Sequence, residues 1–407
     1  MAILPDCEWR RAEGLRRIVA ALQTDEGGPR VVGGAVRDCL LRLPVTDIDL
    51  ATPIEPAQVI RRLEAVQIKA IPTGIDHGTI TAVASGSSYE ITTLRRDVST
   101  DGRHAIVAFS KDWREDAARR DFTFNALYAD PQSGEIYDYF DGLADLERRY
   151  VRFIGNAQER IAEDHLRILR YFRFLARFDG GQADDTAVAA CAASAAKMMA
   201  LSRERIASEL IKILSLPDPV AALGLMIEHR IFAPFLPELA DNALAIFRRL
   251  VARERRLKVQ ARPTARLVSL IDAQADAADQ VAVRLKLSRR MRSEMIACAG
   301  GRNISAANIR AFAYAHDIKT AREAAMLYAN DIDLDGCIAL LTHWRLPEFP
   351  IKGGDIIRRG VTPGPLVAKS LRQIELAWID EGFPGQPRLD LLIDQTLAQA
   401  LLADKNA

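Results

Sequence analysis

The pattern of apolar and polar positions divides the chain into two parts with different periodicities. Up to about residue 150, short apolar runs alternate with polar residues or carry β-branched side chains, as strands do. Helical periodicity appears among these runs at residues 9–23 and 55–66. Beyond residue 150, helical periodicity continues almost to the C-terminus, and prolines separate the successive helices. The pattern therefore predicts an α+β head followed by an all-helical remainder. The strands are predicted at "PRVVGG", "DIDLAT", "IKAIP", "GTITAVASG", "SSYEITTLRRD", "AIVAFS" and "EIYDYFDG".

Composition narrows the class of protein. The 407 residues, 49% hydrophobic and 27% charged, describe a soluble globular chain too long for one ordinary core. No apolar stretch approaches the length of a membrane span. The five cysteines are scattered without a Cys-x-x-Cys pair, so we expect neither a zinc site nor a disulfide framework. The N-terminal stretch lacks the pattern of a signal peptide, and we expect a cytoplasmic protein.

The net charge is only +1, so any binding of nucleic acid must come from local basic clusters. Two runs qualify, "FRRLVARERRLKVQAR" and "RLKLSRRMR". Each run fits either a surface that binds RNA phosphates or the solvated face of a helix, and both interpretations stay open.

Candidate chemistry is concentrated in "VVGGAVRDCLLRLPVTDIDLAT". On a strand, Asp47 and Asp49 would point to the same side, and a divalent cation such as Mg²⁺ would relieve their repulsion. Gly33 and Gly34 follow an apolar run, where backbone N–H groups without a nearby Cβ could approach an anion. Arg37, one turn later, could bind phosphate oxygens. These parts predict a site for a metal-bound triphosphate, and the alternative is a turn with two surface aspartates.

A third carboxylate is expected where two metal ions assist phosphoryl transfer. Glu90, in the predicted strand "YEITTLR", is the candidate. The alternative is an ordinary exposed glutamate on a strand.

A stripe of arginines follows one face of the helix predicted in "EDHLRILRYFRFLARF". Arg167, Arg170, Arg173 and Arg177 fall within an arc of about 120°. The stripe is either a functional surface or a solvated face. Asp164, three residues before Arg167, predicts an i, i+3 ion pair.

Asp164 and Arg167 could also select the base of a nucleotide. Cytosine and adenine both present an amino donor beside a ring acceptor, which matches a carboxylate that accepts and a guanidinium that donates. Uracil and guanine reverse this order, and each mismatch would leave a polar group unsatisfied at a cost of about 1–3 kcal/mol.

Taken together, the motifs resemble a known family. "GGAVRD…DIDLAT", "YEITTLRRDVSTDGRHAIVAF", "ARRDFTFNAL", "EDHLRILRYFRF" and "RERIASEL" occur in the order found in class II tRNA nucleotidyltransferases, the CCA-adding enzymes. Bacterial poly(A) polymerases share most of these motifs. The resemblance covers roughly residues 25–215 and implies a polymerase-β-type nucleotidyltransferase head over residues 1–150. It further implies an all-α neck (151–215), body (216–330) and tail (331–407), the latter two binding RNA.

The resemblance also implies roles for individual residues. Gly34 and Arg37 would lie on the triphosphate side, and Asp47 and Asp49 would bind the metal, with Glu90 as the further catalytic carboxylate. The remaining nucleotide contacts would come from Arg120, from Asp121 and Asn125 near the ribose, and from Asp164, Arg167, Arg170 and Arg173 near the incoming nucleotide. "STDGRHAIVAFSKDW" occupies the position of the loop that such enzymes use when they switch to the final A.

The expected activity is the addition of CCA to the 3′ end of tRNA from CTP and ATP, with Mg²⁺ as cofactor. A poly(A) polymerase, an enzyme that adds only CC or only A, and a non-catalytic RNA-binding protein are the alternatives.

Overall fold

The computed structural model describes residues 2–25, 27–100, 105–178, 181–272 and 274–405. For residues 97–100, 105–107 and 400–405, the structure describes only the backbone. The chain divides into two compact units, Met1–Pro237 and Glu238–Ala407. The finer division into head, neck, body and tail stays a prediction.

A mixed β-sheet forms the centre of the first unit. Its strands, with a separate hairpin, are β1 (Arg30–Val32), β2 (Asp49–Thr52), β3 (Lys69–Gly74), β4 (Thr79–Ala84), β5 (Ser87–Thr93), β6 (Arg95–Thr100), β7 (Ala105–Phe109), β8 (Leu127–Ala129) and β9 (Ile136–Asp138). In the described part of the chain, seven strands pair in the order β3-β4-β5-β2-β1-β8-β9, and β6 pairs with β7. The contact between β2 and β5 is parallel, and the other pairs are antiparallel. Every stretch predicted as a strand contributes to these pairs.

Helices pack against the sheet, and after β9 the described secondary structure of the first unit is helical. Those of the first unit are α1 (Glu13–Ala21), α2 (Gly34–Leu40), α3 (Pro56–Ala65), α4 (Trp113–Ala118), α5 (Gly142–Glu147), α6 (Ala157–Glu163), α7 (Arg167–Arg177), α8 (Asp185–Ser194), α9 (Arg203–Leu214) and α10 (Val220–Glu228). Short 3-10 helices lie at Glu8–Arg11, Ile75–His77, Thr123–Asn125 and Ala195–Ala200. The α+β class predicted from the sequence is confirmed by this arrangement.

Burial follows the periodicity of the sequence. On β4, Ile80, Ala82 and Ala84 alternate with more exposed neighbours, as on a strand with one buried face. Leu15 and Ile18 of α1 are fully buried, and this helix packs against β4.

The second unit is helical throughout its described residues. Its helices are α11 (Ala243–Leu257), α12 (Pro263–Val268), α13 (Ala275–Arg284), α14 (Arg289–Ala299), α15 (Ile309–Ala315), α16 (Ile318–Tyr328), α17 (Asp331–Leu341), α18 (Gly353–Arg358), α19 (Pro365–Asp380) and α20 (Gln386–Lys405). A separate cluster around Ile356, Ile374, Trp378 and Ile393 forms the core of its C-terminal part. Among the described residues of the whole chain, no helix combines the length and apolarity needed to cross a membrane.

The structure differs from the sequence predictions in two places. Strand β2 begins at Asp49, so Asp47 lies just before the strand and not within it. Cys7 and Cys39 form a disulfide although no disulfide framework was expected. The prediction was wrong here because 32 residues separate the two cysteines, and only the path of the N-terminal segment past α2 brings them together.

The segment predicted as a loop, "STDGRHAIVAFSKDW", begins at the end of β6, includes all of β7 and ends at the start of α4. Residues 101–104 lie outside the described residues, so its proposed part in switching to the final A stays a prediction.

Candidate active site

A single cavity in the first unit collects most of the predicted site residues. Its volume is about 790 Å³, within the range of ligand pockets. The predicted residues that line it are Gly33, Gly34, Arg37, Asp47, Asp49, Arg120, Asp121, Asn125, Asp164, Arg167, Arg170 and Arg173. Glu90 is not among the lining residues, although its strand is adjacent to the cavity wall.

Carboxylates gather at one side of this cavity. The parallel pairing of β2 with β5 places Asp49 opposite Glu90 in register, and both side chains are accessible to solvent. The walls of the cavity partly desolvate Asp49 and raise its pKa, and the charges of Glu90 and Asp47 raise it further, whereas Arg120 opposes them. A divalent cation would relieve the repulsion that Asp49 experiences from these neighbouring carboxylates.

The donor set is incomplete for a metal ion held by the protein alone. In the described ranges, no three His, Cys, Asp or Glu side chains form a ready-made metal cluster. Asp47 and Asp49 fit an ion such as Mg²⁺ that takes its remaining ligands from substrate phosphates and water.

The glycine pair makes the turn that leads from β1 into α2. Gly33 has φ 69° and ψ −116°, a conformation that residues with a Cβ rarely adopt, and its N–H donates to the carbonyl of Leu127 at 3.0 Å. Gly34 begins the helix and lines the cavity, and Nη2 of Arg37 lies 3.8 Å from the position that a Cβ would take, an ordinary contact distance. The turn therefore brings both glycines to the cavity wall, but the N–H of Gly33 is taken by Leu127, so the expectation that it approaches an anion was wrong for Gly33 and stays a prediction for Gly34.

Arg37 is held by its neighbours. Its Nε and Nη2 donate to the carboxylate of Asp38, each at 2.9 Å, and its Nη1 donates to Oδ1 of Asn125 at 2.6 Å. The guanidinium carbon lies 4.9 Å from the centre of the Phe174 ring. Because only 7% of Arg37 is exposed, its charge is fixed at the cavity wall instead of extending into solvent.

Arg120 is fixed by a buried network. Its Nη2 donates to Asp116 at 3.0 Å and its Nε to the hydroxyl of Tyr128 at 3.2 Å, while that hydroxyl donates to Asp116 at 2.6 Å. Burial alone would raise the pKa of Asp116, but Arg120, Arg119 and the Tyr128 hydroxyl together lower it to about 2. Burial alone would lower the pKa of Arg120, but Tyr128 and Asp116 outweigh it and raise that pKa, so the cation is secured beside Asp49.

Asp121 joins the segment that follows α4 to α7. Its Oδ2 accepts from Nε of Arg170 at 2.6 Å, and its Oδ1 accepts from Nδ2 of Asn125 at 3.0 Å and from the Phe122 N–H at 2.9 Å. Burial opposes ionisation of Asp121, but Arg170 and Asn125 outweigh it and lower the pKa of the carboxyl. Asp121 and Asn125 thus line the cavity as parts of a fixed hydrogen-bond chain that also includes Arg37.

The arginine stripe of α7 faces the cavity and is not an ordinary solvated face. Its apolar sector, which includes Leu169 and Phe172, is fully buried. All four of its arginines have carboxylate partners outside the helix, namely Glu163 for Arg167, Asp121 for Arg170, Glu209 for Arg173 and Asp38 for Arg177. Burial and the nearby Arg170 lower the pKa of Arg173 to about 10, against the opposing charge of Glu209.

The predicted pair of Asp164 with Arg167 is not formed. Oδ2 of Asp164 accepts from Nη2 of Arg205 at 2.7 Å, and its Oδ1 accepts from the Leu166 N–H at 3.0 Å. Arg167 instead donates to Glu163 at 2.5 Å and to two backbone carbonyls. The prediction was wrong because Asp164 has extended backbone angles (φ −151°, ψ 106°) between α6 and α7, so helical i, i+3 geometry does not apply.

Sequence reasoning missed the residues that hold the predicted ones. These are Asp38, Asp116, Glu163, Arg205 and Glu209, each bonded to a predicted cavity residue. The signal that could have suggested them is charge balance, because so many buried arginines require carboxylate partners.

The two basic runs of the second unit are largely neutralised within the protein. Ion pairs join Arg253 to Asp331, Arg256 to Asp335, Arg262 to Glu294 and Glu323, Arg284 to Glu238, Arg290 to Glu294 and Arg292 to Asp279. Arg248, Lys258 and Arg289 are exposed and form no ion pair among the residues that the structure describes. These three side chains are the better candidates for contacts with an external phosphate.

Two protein-family models match the chain. The model described as "Poly A polymerase head domain" matches residues 29–152, and the model described as "Probable RNA and SrmB- binding site of polymerase A" matches residues 183–242.

Curated relatives match almost the full length. The mitochondrial CCA tRNA nucleotidyltransferase 1 of Mus musculus is 34% identical over 93% of this chain and 89% of its own length. The CCA-adding enzyme of Lacticaseibacillus paracasei is 32% identical over 90% of this chain and 92% of its own length.

Solved structures share the fold. The crystal structure of the Bacillus stearothermophilus CCA-adding enzyme in complex with CTP superposes with a TM-score of 0.74 at 28% identity, covering 96% of this chain and 98% of the other. The Thermotoga maritima CCA-adding enzyme complexed with tRNA has the same fold at a TM-score of 0.69 and 19% identity, covering 98% of this chain and all of the other.

Proposed function

This chain belongs to the family of CCA tRNA nucleotidyltransferases, the CCA-adding enzymes, and from that premise we propose that it adds CCA to the 3′ end of tRNA from CTP and ATP, releasing pyrophosphate. One observation carries the proposal beyond the family likeness. A carboxylate pair, a glycine turn and the side chains suited to select a base all line the same cavity. The relative that was crystallised with CTP further supports CTP as a substrate.

A divalent metal, which we propose to be Mg²⁺, is the cofactor. Asp47 and Asp49 would hold it, and Glu90, next to Asp49 in the sheet, is the candidate for further support. When bound, the ion would lower the pKa of the attacking 3′-hydroxyl and offset the charge of the triphosphate.

Other residues of the cavity would position the triphosphate. The backbone of Gly34 and the guanidinium of Arg37 would bind its oxygens, and Arg120 would offset the charge that develops as pyrophosphate departs. Arg37 and Arg120 are already held by Asp38 and Asp116, so little reorganisation accompanies binding. This preorganisation is the form of electrostatic stabilisation that costs least during the reaction.

The same cavity would select the nucleotide. Asp121 and Asn125 would approach the ribose, and Arg170 and Arg173 would border the base. Asp164 would accept from the amino group of cytosine or adenine, and Arg167 would donate to the adjacent ring nitrogen. Guanine and uracil would place an acceptor against Asp164 and a donor against Arg167, so these polar groups would stay without hydrogen bonds.

We also propose that the second unit binds tRNA through phosphates and shape, without reading the sequence of the RNA. Arg248, Lys258 and Arg289, which form no ion pair within the described ranges of the chain, support this part of the proposal. The cytoplasm is the compartment that we propose for the reaction, in keeping with the bacterial relatives.

A single gel tests the function. The purified protein is incubated with Mg²⁺, one labelled nucleoside triphosphate at a time, and tRNA transcripts that end before the first C, the second C or the final A. We expect CTP to be added only to the first two transcripts and ATP only to the third. Long A tails would identify a poly(A) polymerase, activity on only some of these ends would identify a partial enzyme, and no incorporation would indicate a non-catalytic protein.

A further inference from the structure

Each of the two side chains proposed to contact the base has its own oppositely charged neighbour. Asp164 is bonded to Arg205, whereas Arg167 is bonded to Glu163. All of these contacts lie within the first unit, and Arg205 lines the cavity together with Asp164 and Arg167. Asp164 and Arg167, which we call the reading pair, are therefore each held by a neighbouring residue and not by each other.

Arg205 is well placed to orient Asp164. It belongs to the first turn of α9, where the Ser202 hydroxyl accepts its backbone N–H, so the start of its side chain is fixed by a helix cap. Its Nη2 reaches Oδ2 of Asp164 at 2.7 Å, and the Leu166 N–H binds the other oxygen at 3.0 Å. With a donor on each oxygen, the plane of this carboxylate is set before a nucleotide enters.

We propose that Arg205 is a positioning residue that determines nucleotide specificity, acting through Asp164. This inference rests on the proposed function, since it concerns the choice of CTP and ATP by the same cavity. A carboxylate held by Arg205 offers its free lone pairs in a set direction, which suits an amino group and rejects a carbonyl.

Without Arg205, the carboxylate can turn and admit a water molecule between itself and the base. A water molecule donates to the carbonyl of uracil or guanine as readily as it accepts from an amino group. The consequence is a loss of discrimination, which is different from a general loss of activity.

The test compares Arg205→Gln with Arg205→Lys and a control, Arg203→Gln. Arg203 lies in the same turn of α9 but is bonded to Met199 and does not line the cavity. For each protein, kcat and KM are measured with CTP, ATP, UTP and GTP on tRNA transcripts. We expect Arg205→Gln to lower the preference for CTP over UTP, and for ATP over GTP, by about fivefold, the effect of one partly exposed charge-assisted bond.

The expected pattern separates positioning from a merely structural role. Arg205→Gln should raise KM for CTP and ATP more than it lowers kcat, Arg205→Lys should restore most of the preference, and Arg203→Gln should match the unmodified protein. Equal losses with all four nucleotides, at an unchanged preference, would show that Arg205 only supports the fold. Thermal unfolding of each variant checks folding, and Arg205→Met, which keeps the side-chain length, takes the place of Arg205→Gln should the latter not fold.

A double-mutant cycle tests whether the effect passes through Asp164. In an Asp164→Asn background, Arg205→Gln should cause no further change in preference. An equal effect in both backgrounds would overturn the inference. Failure of the proposed function is distinguishable, because the unmodified protein would then incorporate no CTP or ATP into tRNA at all.

Discussion

At the residue scale, the cavity is built from charged side chains that hold one another. Arg37 is held by Asp38, Arg120 by Asp116, and Asp164 by Arg205. Buried charges without partners are costly, so each of these charges requires an opposite charge beside it. The carboxylates of Asp47, Asp49 and Glu90 are the exception, since none of them forms an ion pair with a cation among the residues that the structure describes, and the charges of Glu90 and Asp47 act on Asp49.

We expect Asp47→Ala and Asp49→Ala each to abolish nucleotide incorporation and to leave the affinity for tRNA nearly unchanged. Each change removes one carboxylate oxygen donor from the proposed metal site and leaves the second unit intact. Incorporation assays and filter binding of tRNA measure the two quantities. Asp76→Ala, at an exposed position that does not line the cavity, is the matched control, and full activity of either cavity variant would contradict the metal site.

Exchanging the charges of Asp164 and Arg167 should reverse the choice of base, but only when the charges of their ion-pair partners are also removed. In Asp164→Arg with Arg167→Asp, each new charge faces a like charge, from Arg205 and Glu163 respectively. We expect this double variant to incorporate any nucleotide poorly, and addition of Arg205→Gln with Glu163→Gln to raise incorporation of UTP and GTP. Incorporation rates with the four nucleotides measure this, and a double variant that remains active and still prefers CTP and ATP would disprove the pairing with the base.

At the element scale, the site is formed where short connections join strands and helices. β1 passes into α2 through Gly33, and β2 begins at Asp49. The end of β1 and the start of β2 therefore both lie at the cavity. The start of α7 follows the extended residue Asp164, and this change of direction separates Asp164 from Arg167. Local geometry at these junctions positions the side chains more than the elements themselves do.

The two glycines should respond differently to a methyl group. Gly33→Ala forces a residue with a Cβ into a conformation at φ 69° and should lower the free energy of unfolding by about 1–3 kcal/mol. Gly34→Ala has no such strain and should leave stability unchanged or slightly raised, but the methyl group at the cavity wall should raise KM for CTP and ATP. Chemical denaturation and steady-state kinetics measure these effects, and equal stabilities of the two variants would contradict the argument.

The Asp116 network should make stability depend on acid pH. The pKa of Asp116 is lowered to about 2 in the folded protein, so the stabilisation is complete above the ordinary value of 3.8 and is lost as the pH falls through 2. The difference of nearly two pKa units corresponds to about 2 kcal/mol at neutral pH. We expect Asp116→Asn to be less stable than the unmodified protein by about this amount at pH 7, and the difference to shrink towards pH 2 in denaturation measured across that range. A difference that does not vary with pH would show that ionisation of Asp116 is not the cause.

At the scale of the whole molecule, the chain consists of two units that differ in structure and in the distribution of charge. The first carries the sheet, the cavity and α7, and the second is a helical unit whose arginines mostly pair with its own carboxylates. A near-neutral protein can therefore still bind RNA only where cations lack internal partners.

We expect Arg248→Gln and Arg289→Gln each to weaken tRNA binding and to reduce the dependence of log K on log salt by about 1. The physical reason is that an unpaired cation releases one counterion from a phosphate, whereas a paired one is already neutralised. Arg256→Gln, whose guanidinium is bonded to Asp335, should change the slope much less. Binding is measured at several salt concentrations, and equal slopes for all three variants would contradict this assignment.

The sequence alone determined the order and type of the elements, because periodicity shows which side of each strand or helix is apolar. It also identified part of the cavity lining, since Gly33, Arg37, Asp49 and the arginines of α7 lie in motifs whose spacing is local. Tertiary structure alone decided the partners. Arg205 reaches Asp164 over 41 residues, Arg177 meets Asp38 from another helix, and Cys7 meets Cys39, because such pairs depend on the path of the chain between them. A charged residue in a sequence shows that a partner is needed, but only the folded chain shows which residue is near enough to serve.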